Sequence, residues 1–126
     1  ANDIDLQLNY LNALKTHFSL SYYLDPSYYS SGFYQSFVER FKCEPSDYAI
    51  NGYDQMFFLG TMMKEFGTSF RTEMHHVARE GWGTGFAVSP VILAPNANDT
   101  MPTIDYWDNQ HLFLLRYNDY TIERVR

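Results

Sequence analysis

The period of the hydrophobic pattern changes abruptly across Asp25-Pro26, and that change commits the chain to a mixture of strand and helix. Before the break, Thr16, Phe18, Leu20, Tyr22 and Leu24 alternate with His17, Ser19, Ser21 and Tyr23. A period of two sends the two sets to opposite faces of a strand. Proline, which lacks an N–H, stops that strand at Asp25-Pro26. After the break, Phe33, Phe37, Val38 and Phe41 follow helical spacing, with Glu39, Arg40 and Lys42 on the other side. They predict a helix from Gly32 onward. Glu44-Pro45-Ser46-Asp47 separates it from a second helix, with Ser46 or Asp47 as its N-cap. That second helix runs from about Tyr48 to Phe66 and stops at Gly67. Met56, Phe57, Phe58, Leu59, Met62 and Met63 make it apolar nearly all round, the pattern of a helix buried on more than one face.

The remaining segments read in the same way. Leu6, Leu8, Tyr10, Leu11 and Leu14 fit a short amphipathic helix with Asp3 or Asp5 near its start. Ser27 to Ser31 reads as a polar, Tyr-rich loop. Phe70, Met74 and Val77 predict a third core helix near Ser69 to Glu80. Gly81-Trp82-Gly83-Thr84-Gly85 reads as a flexible connector, after which Phe86 to Leu93 is a strand with Pro90 favouring an edge or a bulge. Pro95 to Pro102 is a polar loop. His111 to Tyr117 is a further strand, and Asn118-Asp119 suits a tight turn into Tyr120 to Val125. The expectation is one α/β domain over residues 1–126, with helices packed on a small mixed sheet and a C-terminal antiparallel hairpin. One parallel crossover is admitted between the first strand and a later one.

Charge and motif content narrow the function. A formal net charge of −6, with Lys and Arg scattered singly, argues against nucleic acid and anionic membrane surfaces. No apolar run reaches the roughly 18 residues of a transmembrane helix. Cys43 is the single cysteine, so no intrachain disulfide forms, and it reads as a small semi-buried thiol. His75 and His76 are adjacent, and adjacent helical residues point about 100° apart, which makes a shared metal difficult. A Glu73, His76 and Glu80 face is geometrically open to metal but reads as ordinary solvated charge. Gly81 to Gly85 does not follow GxGxxG, and it precedes a strand where phosphate binding needs a helix N-terminus. No GxSxG elbow is present. Asn98-Asp99-Thr100 matches a glycosylation sequon. The reading is therefore non-enzymatic, with no cofactor and no metal. The start at Ala1 reads as processed or engineered.

What remains is a surface. Eleven tyrosines, in a chain 18% aromatic, favour a binding face because a phenol can stack and hydrogen-bond at once. Tyr22, Tyr23 and Asp25 close the first strand, and open α/β sheets bind ligands beyond the carboxyl ends of their strands. Tyr53 and Asp54 lie in the early turns of the long helix. These five are the candidate ligand-binding residues, and the competing reading makes Tyr22 and Tyr53 core packing with satisfied hydroxyls.

Three stretches carry a resemblance. Phe18-Ser-Leu-Ser-Tyr-Tyr-Leu-Asp25, the Phe33, Phe37, Phe41 series, and Glu44-Pro-Ser-Asp-Tyr-Ala49 followed by Gly52-Tyr-Asp54 are similar to the second lobe of type I periplasmic binding proteins of the leucine/isoleucine/valine-binding type. Particular similarity is to LysM-linked envelope proteins of Bacteroides-like bacteria. The resemblance covers residues 10 to 66 and extends weakly through Leu112 to Tyr120. It departs at Phe41-Lys42-Cys43, where an aromatic residue followed by glycine is usual, and at Asp105-Tyr-Trp-Asp-Asn-Gln110, which replaces a glycine-rich lead. It implies one lobe of a type I periplasmic-binding fold, located in the periplasm or cell envelope, as part of a lipoprotein. Tyr22 and Tyr23 would then face a cleft, with Tyr53 and Asp54 near the cleft or hinge. The implied function is solute binding, for amino acids or similar small polar ligands, in partnership with a missing first lobe. The alternative it carries is a scaffold that contacts an envelope protein or peptidoglycan and has lost its small ligand.

Overall fold

A computed structural model describes residues 3–93, 98 and 103–126. The chain divides into two compact units, Ala1–Tyr22 with Leu112–Arg126, and Tyr23–His111. Each carries its own antiparallel three-stranded sheet.

The first unit holds helix α1 (Asp3–Ala13) and strand β1 (His17–Leu20) from the N-terminal side, with β5 (Phe113–Asn118) and β6 (Thr121–Arg124) from the C-terminal side. The strand order is β1-β5-β6, with Phe18 opposite Leu115 and Tyr117 opposite Ile122. Phe113 and Leu115, two apart on the central strand, are both buried, as period two requires. The expected hairpin at Asn118-Asp119 forms one residue later. Asp119 and Tyr120 both take positive φ, 48° and 59°, the conformation of a two-residue hairpin whose twist matches its strands. An aromatic residue is uncommon there. Here it is held by α1: Asn12 Oδ1 accepts from the Tyr120 N–H at 3.1 Å, and Asn9 Oδ1 accepts from its hydroxyl at 2.6 Å. The capping role expected of Asp3 or Asp5 lies outside the described side chains.

The second unit begins with a 3₁₀ turn at Pro26–Ser30 where a plain loop was expected, and it buries Tyr28. Helix α2 (Gly32–Phe41) follows, capped by Ser31, whose hydroxyl accepts from the Tyr34 N–H at 3.1 Å. It ends on Lys42 at φ 58°, the left-handed region that favours glycine. Helix α3 (Asp47–Phe66) is capped by Ser46 and terminated by Gly67, close to expectation. Phe58 and Met62 of α3 join Met74 and Phe86 in the core, with Phe66, Phe70, Val77, Val88 and Trp107 packed around them. Phe58 and Phe86 stack at 4.5 Å with their planes 6° apart.

Three expectations are corrected. The first is the sheet. A mixed sheet in one lobe of a type I periplasmic-binding fold is not what forms; the described residues make two separate antiparallel sheets, and β1 pairs antiparallel with β5 rather than entering a parallel crossover. The alternation at Thr16 to Leu24 identified a strand, but alternation is blind to the direction and identity of the partner. Second, the helix expected over Ser69 to Glu80 breaks into a single α-turn (Phe70–Glu73), a 3₁₀ turn (Met74–His76) and strand β2 (Ala78–Glu80). Its helical spacing came from three apolar residues only, and all three still pack into the core, Phe70 and Met74 from the two turns and Val77 from the link to β2. Third, Cys43 is exposed, not semi-buried. Strand β3 (Gly85–Val91) pairs with β2 and with β4 (Tyr106–Asn109), in the order β2-β3-β4. Polar residues conceal β4 in the sequence. The Pro95 to Pro102 loop, Asn98 apart, and the Asp99-Thr100 part of the sequon lie outside the described residues.

Candidate functional site

The densest polar organisation in the second unit surrounds Asp54. Asp54 sits in the second turn of α3 and is 1% exposed. Its Oδ1 accepts from the Trp82 N–H at 2.8 Å, and its Oδ2 accepts from the Gly83 and Thr84 N–H groups at 2.8 and 3.0 Å. One helical turn earlier, Asn51 Oδ1 accepts from the Thr84 hydroxyl at 3.1 Å. The run Gly81 to Gly85 is thus the turn of the β2–β3 hairpin wrapped around a carboxylate, rather than a flexible connector. Successive backbone N–H groups form a nest for an anion, and the protein's own Asp54 fills it. Hydrogen bonding to an ionised acceptor is stronger than to a neutral one, so this contact ties α3 to the hairpin across 28 to 30 residues of sequence.

The glycines are explained by close approach. A Cβ on Gly81 would lie well inside contact distance of the Asp54 carboxyl group, and a Cβ on Gly85 would meet the His111 imidazole. His111 Nε2 in turn lies 3.1 Å from Glu80 Oε1 at the base of the same hairpin.

Pinning this turn presents Trp82. A recess of about 240 Å³ opens between Tyr53, Asp54, Phe57, Glu80, Gly81 and Trp82. Its walls continue into an aromatic series. Phe33, Phe37 and Phe41 repeat every four residues along α2, and Tyr53 and Phe57 do so along α3. Ring centroids run 4.6 Å from Phe41 to Phe37, 6.0 Å to Phe33, 4.2 Å to Tyr53 and 5.9 Å to Phe57. Behind the recess, Tyr28 is ringed by Tyr29, Phe33, Tyr34 and Trp82 at 5.4 to 6.1 Å. Its buried hydroxyl has no hydrogen-bond partner among the described residues. Burial, followed by the fields of Tyr34, Tyr29 and Asp54, pushes the Tyr28 phenol up to about 12.

The five sequence candidates separate. Tyr53 and Asp54 line the recess together, though the Asp54 carboxylate faces the hairpin backbone. Tyr23 donates its N–H to the Gly83 carbonyl at 3.0 Å, a backbone contact with the same turn. Asp25 caps the 3₁₀ turn by accepting from the Ser27 N–H at 2.9 Å. Tyr22 belongs to the first unit. The rule that grouped Tyr22, Tyr23 and Asp25 concerned the carboxyl ends of open α/β strands, and β1 lies in an antiparallel sheet. Sequence reasoning missed Phe57, Glu80 and Trp82. A tryptophan between two glycines was the available signal, since flanking glycines let a backbone approach closely while the indole projects.

Chemically the recess offers ring faces for stacking, the Tyr53 phenol and a carboxylate rim at Glu80. Among the described residues no group of three or more His, Cys, Asp or Glu side chains could hold a metal ion. No described helix is long and apolar enough to cross a membrane. Fold and site together define an α/β chain with an aromatic recess held by a buried carboxylate. Comparison with protein-family models, with curated proteins and with solved structures returns no match.

Proposed function

We propose that this chain is a non-catalytic, extracytoplasmic binding module whose recess at Tyr53, Phe57 and Trp82 takes a small polar ligand with one apolar face, such as an amino acid. The observation that carries this reading is the pinned turn. Three backbone donors hold Asp54 and so fix the main chain that carries Trp82, which lines the recess with Tyr53 and Phe57. Preorganisation of this kind lowers the ordering cost of binding. Ring faces beside the Tyr53 phenol and the Glu80 carboxylate support the ligand class.

Trp82 and Trp107 are the two tryptophans, so Trp107→Phe leaves Trp82 as the sole indole reporter. Titrating that variant with an amino-acid panel should give saturable fluorescence changes for at least one member. Phe57→Ala should weaken them at least tenfold, about 1.4 kcal/mol. No fluorescence change and no calorimetric heat across the panel would defeat the reading.

A second reading has its own support. Met56, Phe57 and Met63 of α3 are 72%, 63% and 55% exposed, an apolar face suited to an envelope protein or to peptidoglycan-associated machinery. Retention of the chain on purified peptidoglycan, abolished by Met56→Glu with Met63→Glu, would favour it over the small ligand.

A further inference from the structure

A second concavity, in the same unit, lies where the chain leaves α3 and where it enters β4. It has a volume of about 590 Å³ and is lined by Thr68, Arg71, Thr72, Ile104, Asp105, Tyr106 and Trp107. That volume falls within the range of roughly 300–1,000 Å³ typical of small-molecule sites. Its walls carry one cation and one anion. No ion pair joins Arg71 to Asp105, although both line the same space.

The two charges differ in how far the fold has committed them. Asp105 Oδ2 accepts from the Leu93 N–H at 2.8 Å, which fixes the carboxylate at the end of β3 and β4. The Asp105 N–H donates to the Val91 carbonyl at 2.9 Å, so its backbone is fixed as well. The Arg71 guanidinium has no ion pair among the described residues, and five N–H donors in a planar fork suit it to a carboxylate, phosphate or sulfonate. The hydroxyls of Thr68 and Thr72 stand beside it; the Thr72 hydroxyl already donates to the Ser69 carbonyl at 2.9 Å, which leaves its oxygen to accept. Tyr106 and Trp107 adjoin Asp105, and a carboxylate beside aromatic rings suits an ammonium group, which is attracted to both. Trp107 is steadied by the His75 ring, 6.0 Å away and 29° from parallel.

We infer that this cavity binds a small zwitterion, with its anionic group on Arg71 and its ammonium on Asp105 beside Tyr106 and Trp107. Two opposite charges that share a cavity without closing on each other are bridged by a ligand carrying the complementary pair. A ligand with a single charge would leave the other wall group facing it unmatched. The site is separate from the Trp82 recess, and its existence does not depend on the function proposed for that recess.

The test uses Trp82→Phe, in which Trp107 is the only indole, and a series of ω-amino carboxylates of rising length: glycine, β-alanine, 4-aminobutanoate and 6-aminohexanoate. Hexanoate and hexylamine serve as singly charged controls. Saturable change in Trp107 fluorescence is expected, with one chain length preferred and both controls at least tenfold weaker. Arg71→Gln should abolish the preference over hexylamine. Asp105→Asn, which keeps an oxygen to accept from the Leu93 N–H, should abolish the preference over hexanoate. Equal affinity for a control and the best zwitterion in the Trp82→Phe parent, persistence of the preference over hexylamine in Arg71→Gln, or no saturable change with any member would overturn the inference. Heteronuclear NMR spectra of each variant, retaining wild-type dispersion, separate lost binding from lost fold.

Discussion

Removing the Asp54 carboxylate should destabilise the second unit and, at the same time, make Gly81 replaceable. In the native protein three backbone N–H groups converge on Asp54, and the Gly83 N–H is bonded to a buried acceptor. Hydrogen bonds to a charged group contribute about 1.5–3 kcal/mol each, and buried donors left without an acceptor cost about 1–3 kcal/mol. Water entering through the adjoining recess would satisfy some of them, so Asp54→Ala should cost about 3–5 kcal/mol rather than the full sum. Gly81→Ala on its own should also be costly, because its Cβ would meet the Asp54 carboxyl group; overpacking of this kind costs about 1–3 kcal/mol. Once Asp54 is alanine the obstructing atoms are gone. The double variant should therefore be more stable than the sum of the single effects predicts, by about 1–3 kcal/mol. Urea denaturation followed by tryptophan fluorescence measures all four corners of this cycle. Additivity within about 0.5 kcal/mol would refute the argument, since it would mean that Gly81 and Asp54 do not share the space assigned to them.

Two further variants can be checked with the same denaturation assay. Tyr28→Phe should be neutral or stabilising by about 1 kcal/mol, because it removes a buried hydroxyl that has no partner among the described residues. It should also flatten the alkaline limb of the stability curve: the unfolded phenol releases its proton near 10 and the folded one at about 12, so the stabilisation present below pH 10 is lost as pH rises through that window. A steeper alkaline slope in Tyr28→Phe than in the parent protein would contradict this. Lys42→Gly should stabilise by about 1 kcal/mol, since Lys42 ends α2 at φ 58° with its N–H donating to the Val38 carbonyl at 2.9 Å, a conformation glycine adopts without a Cβ penalty; an unchanged or lower midpoint would show that the lysine side chain contributes something the backbone argument omits.

Local signals in the sequence located α2, α3 and the C-terminal hairpin well. Ser46 and Gly67 bound α3 because capping and termination are settled within one turn of the residue concerned. The turn at Asp119 is equally local. Pairing was another matter. The residues of β1 alternate correctly, but nothing within nine residues specifies a partner almost a hundred positions away, and an analogy with parallel sheets supplied the wrong direction. Strand β4 was hidden because Tyr106-Trp107-Asp108-Asn109 buries little: only Trp107 turns toward the core cluster. Of the candidate site, Tyr53 and Asp54 were legible from their place in an aromatic helix. The role of Asp54 was not, because its partners are main-chain N–H groups, which every sequence has in equal number. Gly81 and Gly85 likewise look like flexibility in one dimension and are close packing in three.

The discontinuity of the first unit bears on the order in which a nascent chain can fold. Its central strand, β5, lies between β1 and β6 and is made from Phe113–Asn118. During synthesis β1 therefore emerges early and waits without a partner while the whole of Tyr23–His111 is made. The second unit has all of its strands before the first unit has its middle one. A ribosome stalled with His111 just outside the exit tunnel should carry a protease-resistant Tyr23–His111 unit beneath an N-terminal segment that is still cleavable.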